Sequence, residues 1–242
     1  MAEHHHYKFT PGLLIVPLFA VLAIWTVYFI EIRFGLNFND FGVLPRKLTG
    51  LKGIFSSPFI HGSLDHLYNN TIPLAILMAA LFYFYRNIAW KVLLIGILLS
   101  GFLTWTIGRP SYHIGASGVI YVLASFIFFK GVLTKYYRLI ALSLTIVFIY
   151  GSMLWYIFPV KDGISWEGHL SGFLTGLLLA KILKAKHPEP TKYAWEREDY
   201  NIEDDEFLRH FDENGNFIEN LDTSSEDEIT IVYNIKKNEK RD

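Results

Sequence analysis

The sequence predicts an all-α membrane protein, a bundle of six transmembrane helices with a long, partly embedded first loop and a soluble C-terminal tail. Three observations predict it. The 242 residues are 52% hydrophobic with mean hydropathy +0.28, and the apolar residues gather into six stretches near the roughly 20 residues a spanning helix needs. The acidic residues are segregated: of 23, only Glu3, Glu31, Asp40, Asp65, Asp162 and Glu167 precede residue 185, and the other 17 follow it. Polar residues inside the apolar stretches are few and sit near the starts of three of them.

Taken in order, residues 1–11 form an N-terminal segment in which "MAEHHHYKFT" shows no cleavable signal pattern. The run His4–His6 reads as incidental rather than as a metal site. The first span covers 12–32, with Pro17 tolerated inside it. The loop 33–65 contains "FGVLPRKLTGLKGIFSSPFIHGSLDH", a mixture of apolar and turn residues that predicts a partly embedded hairpin of short helices. Loops of this length are commonly functional. The remaining spans cover 66–85, 90–107, 114–129, 138–158 and 166–183, and together 12–184 make the membrane core. Residues 185–242 form an acidic tail, with a strand-like "ITIVYNI" and a "DENGNF" stretch. The latter lacks the spacing and terminal glutamate of a calcium loop and predicts an Asn-Gly turn.

Six spans place both termini on one side. One set of loops and ends carries Lys8, Arg86, Lys91, Lys130, Lys135, Arg138, Lys181 and Lys184, and the other carries Arg33, Arg46, Lys47, Lys52, Arg109 and Lys161. Eight against six favours cytoplasmic termini and a cell-membrane location. No large basic face is present, so no nucleic-acid partner is expected. The absence of cysteine removes disulfides, thiol catalysis and Cys-ligated zinc.

Polar side chains inside a membrane span are costly and mark function. Four stand out: His66, Asn70, Ser117 and His169. His66 and Asn70 share one helix face at i, i+4. Because spans two, four and six run in the same direction, all four residues fall in one layer near one membrane surface. A serine hydroxyl becomes a useful nucleophile when a base takes its proton. His169 is placed to be that base if spans four and six touch. Small residues permit close approach: Gly115 and Gly118 flank the serine, while Gly172 and Gly176 lie on roughly the face of His169. Attack on a carbonyl develops an oxyanion, for which His66, Asn70 and the Ser117 backbone N–H can donate. Tyr121, four residues after Ser117, can stack on the His169 ring. Asp65 and Glu167 are expected at the rim, leaving a Ser–His dyad with no acidic third member. His61 is expected to bond within the first loop, and His113 to fix the loop ahead of Ser117. No H-E-x-x-H and no carboxylate deep in a span completes a metal set, so neither metal nor cofactor is expected.

"HGSLDHLYNN", "GASGVIY" and "GHLSGFLTG", in that order on spans two, four and six, resemble the motifs of the rhomboid intramembrane serine proteases, a likeness that covers roughly residues 12–184. The resemblance implies that Ser117 is the nucleophile and His169 the base. It implies that His66 and Asn70 help form the oxyanion hole and that Tyr121 packs on the histidine. It also implies cleavage of transmembrane protein substrates near the outer ends of their helices, with the lipid bilayer as the other partner and movement of the fifth helix as a route of entry. Loop five, "FPVKDGIS" with Pro159 and Gly163, is a candidate lid. Two departures stand out: "LKGIFSSPF" replaces a Trp-Arg pair common in the family's first loop, and "AALFYFYRN" replaces a Gly-Gly…Glu pattern late in helix two. The acidic tail has no counterpart in the minimal core. A catalytically inactive rhomboid-like binder of membrane proteins is the alternative, and the intact Ser117 and His169 argue against it. A transporter would place ionisable residues along a path through the bilayer, whereas here they stop at one end.

Overall fold

The structure, a computed structural model, describes residues 7, 9–161, 163–185, 193–196, 198–201, 205 and 207–218. His4–His6, Lys8, Asp162 and the "ITIVYNI" stretch lie outside them. The chain divides into two compact units, Met1–Pro190 and Thr191–Asp242. Among the described residues there are isolated bridges but no strands.

The first unit contains α1 (Gly12–Phe34), a short α2 (Gly53–Ser56), α3 (Leu64–Phe84), α4 (Ala89–Ile107), α5 (Ser117–Thr134), α6 (Tyr137–Tyr150) and α7 (Trp166–Ile182). A 3-10 segment, Gly151–Ile157, continues α6. Five helical stretches are long and apolar enough to cross a membrane, counting α6 with its 3-10 extension as Tyr137–Ile157. The 17-residue α7 is shorter and more polar than these. Side chains that face outward from α1 and α6, such as Phe19, Phe29, Leu144 and Phe148, are exposed, as expected of helices whose solvent is lipid. α5 is the most enclosed: 56% of its stretch is buried, against 17% for the α6 stretch.

The helix starts are set locally. Ser63 caps α3 by accepting from the His66 N–H at 3.1 Å, and Ser165 caps α7 by accepting from the Gly168 N–H at 3.3 Å. No side chain caps α5. That helix begins at Ser117 itself, three residues after the expected start at 114. The reason is Gly115, whose φ of +107° breaks the helical path.

The first loop forms the expected series of short helical pieces: 3-10 turns at Asn39–Phe41, Leu48–Gly50 and Ser57–Phe59 around α2. Its packing does not use the missing Trp-Arg pair. Val43 and His113 exchange two backbone hydrogen bonds of 2.9 Å. Arg46 sits at the end of α4, where its Nη1 donates to the Thr106 and Gly108 carbonyls and its backbone N–H to that of Trp105. A cation at a helix C-terminus satisfies orphan carbonyls and complements the dipole.

In the second unit, the "DENGNF" stretch is the expected turn. Phe211 and Phe217 form a bridge, Gly215 takes φ +81°, and the Asp212 carboxylate accepts from the Asn214 and Asn216 amides. The Asn216 side-chain amide, which donates to the same carboxylate at 2.9 Å, and these backbone bonds hold the Asp212 carboxyl below the usual carboxylate range.

Candidate active site

Five expected residues from three helices meet at one end of the bundle. Ser117 opens α5 and His169 lies in the first turn of α7. The Ser117 Oγ is 2.9 Å from His169 Nε2. Tyr121 stacks on the imidazole with centroids 4.3 Å apart and planes 13° from parallel. On α3, Asn70 is only 5% exposed, and its Nδ2 is buried with no hydrogen-bond partner among the described residues. A buried amide donor left unpaired is costly unless something else supplies the acceptor. His66 faces the same space: a Cβ on Gly115 would lie 2.6 Å from its ring and 3.6 Å from Asn70 Nδ2. Glycine at 115 therefore leaves room for the imidazole and the amide ahead of Ser117.

The α5–α7 contact is close because of Gly172, where a Cβ would fall 2.3 Å from the Gly118 carbonyl oxygen and 2.9 Å from Tyr121 Cβ. Gly176 is under the same constraint against Val122. Gly118 is not: a Cβ there would meet the Gly168 carbonyl at an ordinary 3.6 Å. A small open cavity beside Ser117 is lined partly by hydroxyls and imidazole, including Ser57, Ser100, Thr104, His113 and Ser165. Such a lining suits water rather than hydrocarbon.

Two expectations change. Glu167 is not at the rim but 2% exposed. Its Oε1 accepts from the Arg109 backbone N–H at 3.2 Å and lies 3.7 Å from Arg109 Nε, while Arg109 Nη2 donates to the Ile164 carbonyl. The carboxylate turns inward because a guanidinium and an amide meet it there. Asp65 remains exposed. His61 reaches outside its loop, accepting at Nε2 from the Ala116 N–H at 3.4 Å, with its ring 5.0 Å from that of His66. Burial, with His66 adding to it, pushes the His61 pKa down to about 4, which keeps the ring neutral and able to accept. His113 fixes the loop ahead of Ser117 as expected. Its Nε2 donates to the Arg109 carbonyl at 3.1 Å and its Nδ1 lies 2.5 Å from the Ser165 hydroxyl. Burial lowers its pKa too.

Sequence reasoning missed Arg109, Ser165 and the Tyr156 carbonyl, which lies 3.0 Å from His169 Nδ1. The signal that could have found Ser165 is a serine just ahead of the start of the last span; Arg109 and the Tyr156 carbonyl act from other elements, 58 and 13 residues from their partners.

A profile of the Rhomboid domain matches residues 49–186, which contain every residue of this site. The chain belongs to the rhomboid family. Among its relatives are proteins described only as uncharacterized in Mycobacterium tuberculosis and Mycobacterium bovis, each 35% identical over 191 residues, 73% of this chain and 77% of theirs. A Mycobacterium leprae protein, likewise described as uncharacterized, is 33% identical over 160 residues, 62% of each chain. With five apolar helices of spanning length, this rhomboid-family chain is an integral, multi-pass membrane protein.

Proposed function

We propose that this chain is an intramembrane serine endopeptidase that hydrolyses peptide bonds in or near transmembrane segments of membrane proteins. Ser117 Oγ attacks the substrate carbonyl while His169 Nε2 takes its proton. The imidazolium returns that proton to the leaving amine, and water then resolves the acyl-enzyme by the same route. The developing oxyanion is held by Asn70 Nδ2, the His66 ring and the Ser117 amide at the open start of α5. Tyr121 holds the imidazole in plane, while Gly115 and Gly172 let the contributing segments approach.

The observation that carries this reading is the 2.9 Å hydroxyl–imidazole contact facing an unpaired, buried Asn70 donor. A structural Ser–His bond explains the first, but it leaves the second as a pure cost. In this reading α7 is the sixth span, 12–184 is the protease core and 185–242 is an appended tail. The eight-to-six lysine and arginine bias favours cytoplasmic termini, with the site toward the outer face of the cell membrane. A substrate helix hides its carbonyls in its own hydrogen bonds, so sequences carrying Gly or Pro open more cheaply.

The test is reconstitution in liposomes with a transmembrane substrate, alongside Ser117→Ala and His169→Ala. Wild type is expected to cleave and both variants to be inactive. A fluorophosphonate is expected to label wild type and not Ser117→Ala. Equal cleavage by all three proteins rejects the proposal.

A further inference from the structure

The far side of the His169 ring is held by a backbone group. Nδ1 lies 3.0 Å from the Tyr156 carbonyl oxygen. A carbonyl only accepts, so Nδ1 carries the proton. Nε2 then has its lone pair free and accepts from the Ser117 hydroxyl at 2.9 Å. The tautomer required for proton abstraction is thus selected by one carbonyl.

That carbonyl is available for a reason written in the sequence. Tyr156 lies in the 3-10 segment Gly151–Ile157, where each carbonyl accepts from the N–H three residues on. The Trp155 carbonyl does so, from Phe158 at 3.2 Å. The next bond in the series would run to residue 159, which is proline and has no N–H. The same segment is held a second time: the Tyr121 hydroxyl donates to the Met153 carbonyl at 2.5 Å, and Tyr121 is the ring stacked on His169. Both groups that orient the imidazole are therefore tied to the end of α6, whose stretch is only 17% buried.

We propose that the Tyr156 carbonyl, left free by Pro159, is a positioning group that fixes the Nδ1–H tautomer of His169, so that the dyad is competent only while the 3-10 end of α6 is docked against α5 and α7. The inference rests on the protease reading and adds its positioning element. Pro159→Ala returns an amide to position 159 that competes for the Tyr156 carbonyl. A backbone ester made by replacing Ile157 with its α-hydroxy acid weakens the same carbonyl without altering a side chain.

The test uses the full-length protein with 15N-labelled histidine in detergent, the His169 signals being assigned by difference from His169→Gln. The resting protein is expected to show a protonated Nδ1 and a bare Nε2. Both perturbed proteins are expected to gain the other tautomer and to lose about five- to tenfold in kcat at unchanged KM, the worth of one neutral hydrogen bond. A resting ring protonated at Nε2 overturns the inference with no variant needed. So does wild-type kcat with an unchanged tautomer in both perturbed proteins. Failure of the protease reading is separate: it appears as no cleavage and no fluorophosphonate labelling by wild type, whatever the tautomer.

Discussion

Replacing Gly172 by alanine tests whether the closeness of α5 and α7 sets the dyad. The new Cβ would fall 2.3 Å from the Gly118 carbonyl oxygen, which is helix backbone and cannot swing aside. Carbon–oxygen contacts settle at about 3.3 Å or more, so the helices must part by about 1 Å. The 2.9 Å bond from Ser117 to His169 then opens toward about 3.9 Å, beyond hydrogen-bonding range. A misplacement of about 1 Å costs on the order of 10²-fold in rate, and the overpacking itself costs about 1–3 kcal/mol of stability. Gly118→Ala is the comparison, since its Cβ would meet only an ordinary 3.6 Å contact; it is expected to stay within about threefold of wild type. Cleavage in liposomes, fluorophosphonate labelling and thermal unfolding are measured together for both variants. Gly172→Ala cleaving at the wild-type rate while folded would refute the reasoning, because the close approach would then not govern the dyad.

Asn70→Ala removes a buried donor that no group among the described residues satisfies; kcat is expected to fall about 10²–10³-fold while thermal stability holds or rises, and a parallel loss of stability would mark the amide as structural. Lys130, on α5, donates to the Ala180 and Leu183 carbonyls at the end of α7, so Lys130→Met is expected to lower stability by about 1–3 kcal/mol, read as a shift in unfolding temperature. The folded-state pKa of His61 is about 4, below its ordinary 6.5. Between those values the unfolded chain binds a proton that the folded chain refuses, so stability present above pH 6.5 is lost as pH falls toward 4, at up to about 1.4 kcal/mol per pH unit. His113 shifts in the same direction. Unfolding followed across that window should therefore flatten in His61→Gln, and an unchanged slope would remove His61 as the cause.

Much of the site is legible in the sequence. The four polar residues follow from local signals: each is a polar group near the start of an apolar stretch, and His66 and Asn70 share a face by their i, i+4 spacing. The stacking of Tyr121 on His169 followed from spacing plus the assumption that spans four and six touch. The errors came where a distant group intervened. The sequence predicts Glu167 at the rim, yet Arg109, 58 residues away, meets it inside. The sequence predicts that His61 bonds within its own loop, and the Ala116 amide adds a bond from beyond it. The apolar run predicts a helix from residue 114, and the left-handed backbone of Gly115 moves the start to Ser117 itself.

The sequence by itself determined that this chain lives in a membrane, which stretches become helices, and which hydroxyl, imidazoles and amide share a layer, because each of these depends on local composition or on spacing along one helix. Only the tertiary structure decided how close that hydroxyl and imidazole come, which tautomer the Tyr156 carbonyl selects and what covers Glu167. Those are contacts between different elements, 13 to 58 residues apart, and their geometry depends on packing to within an ångström, which residue spacing does not encode.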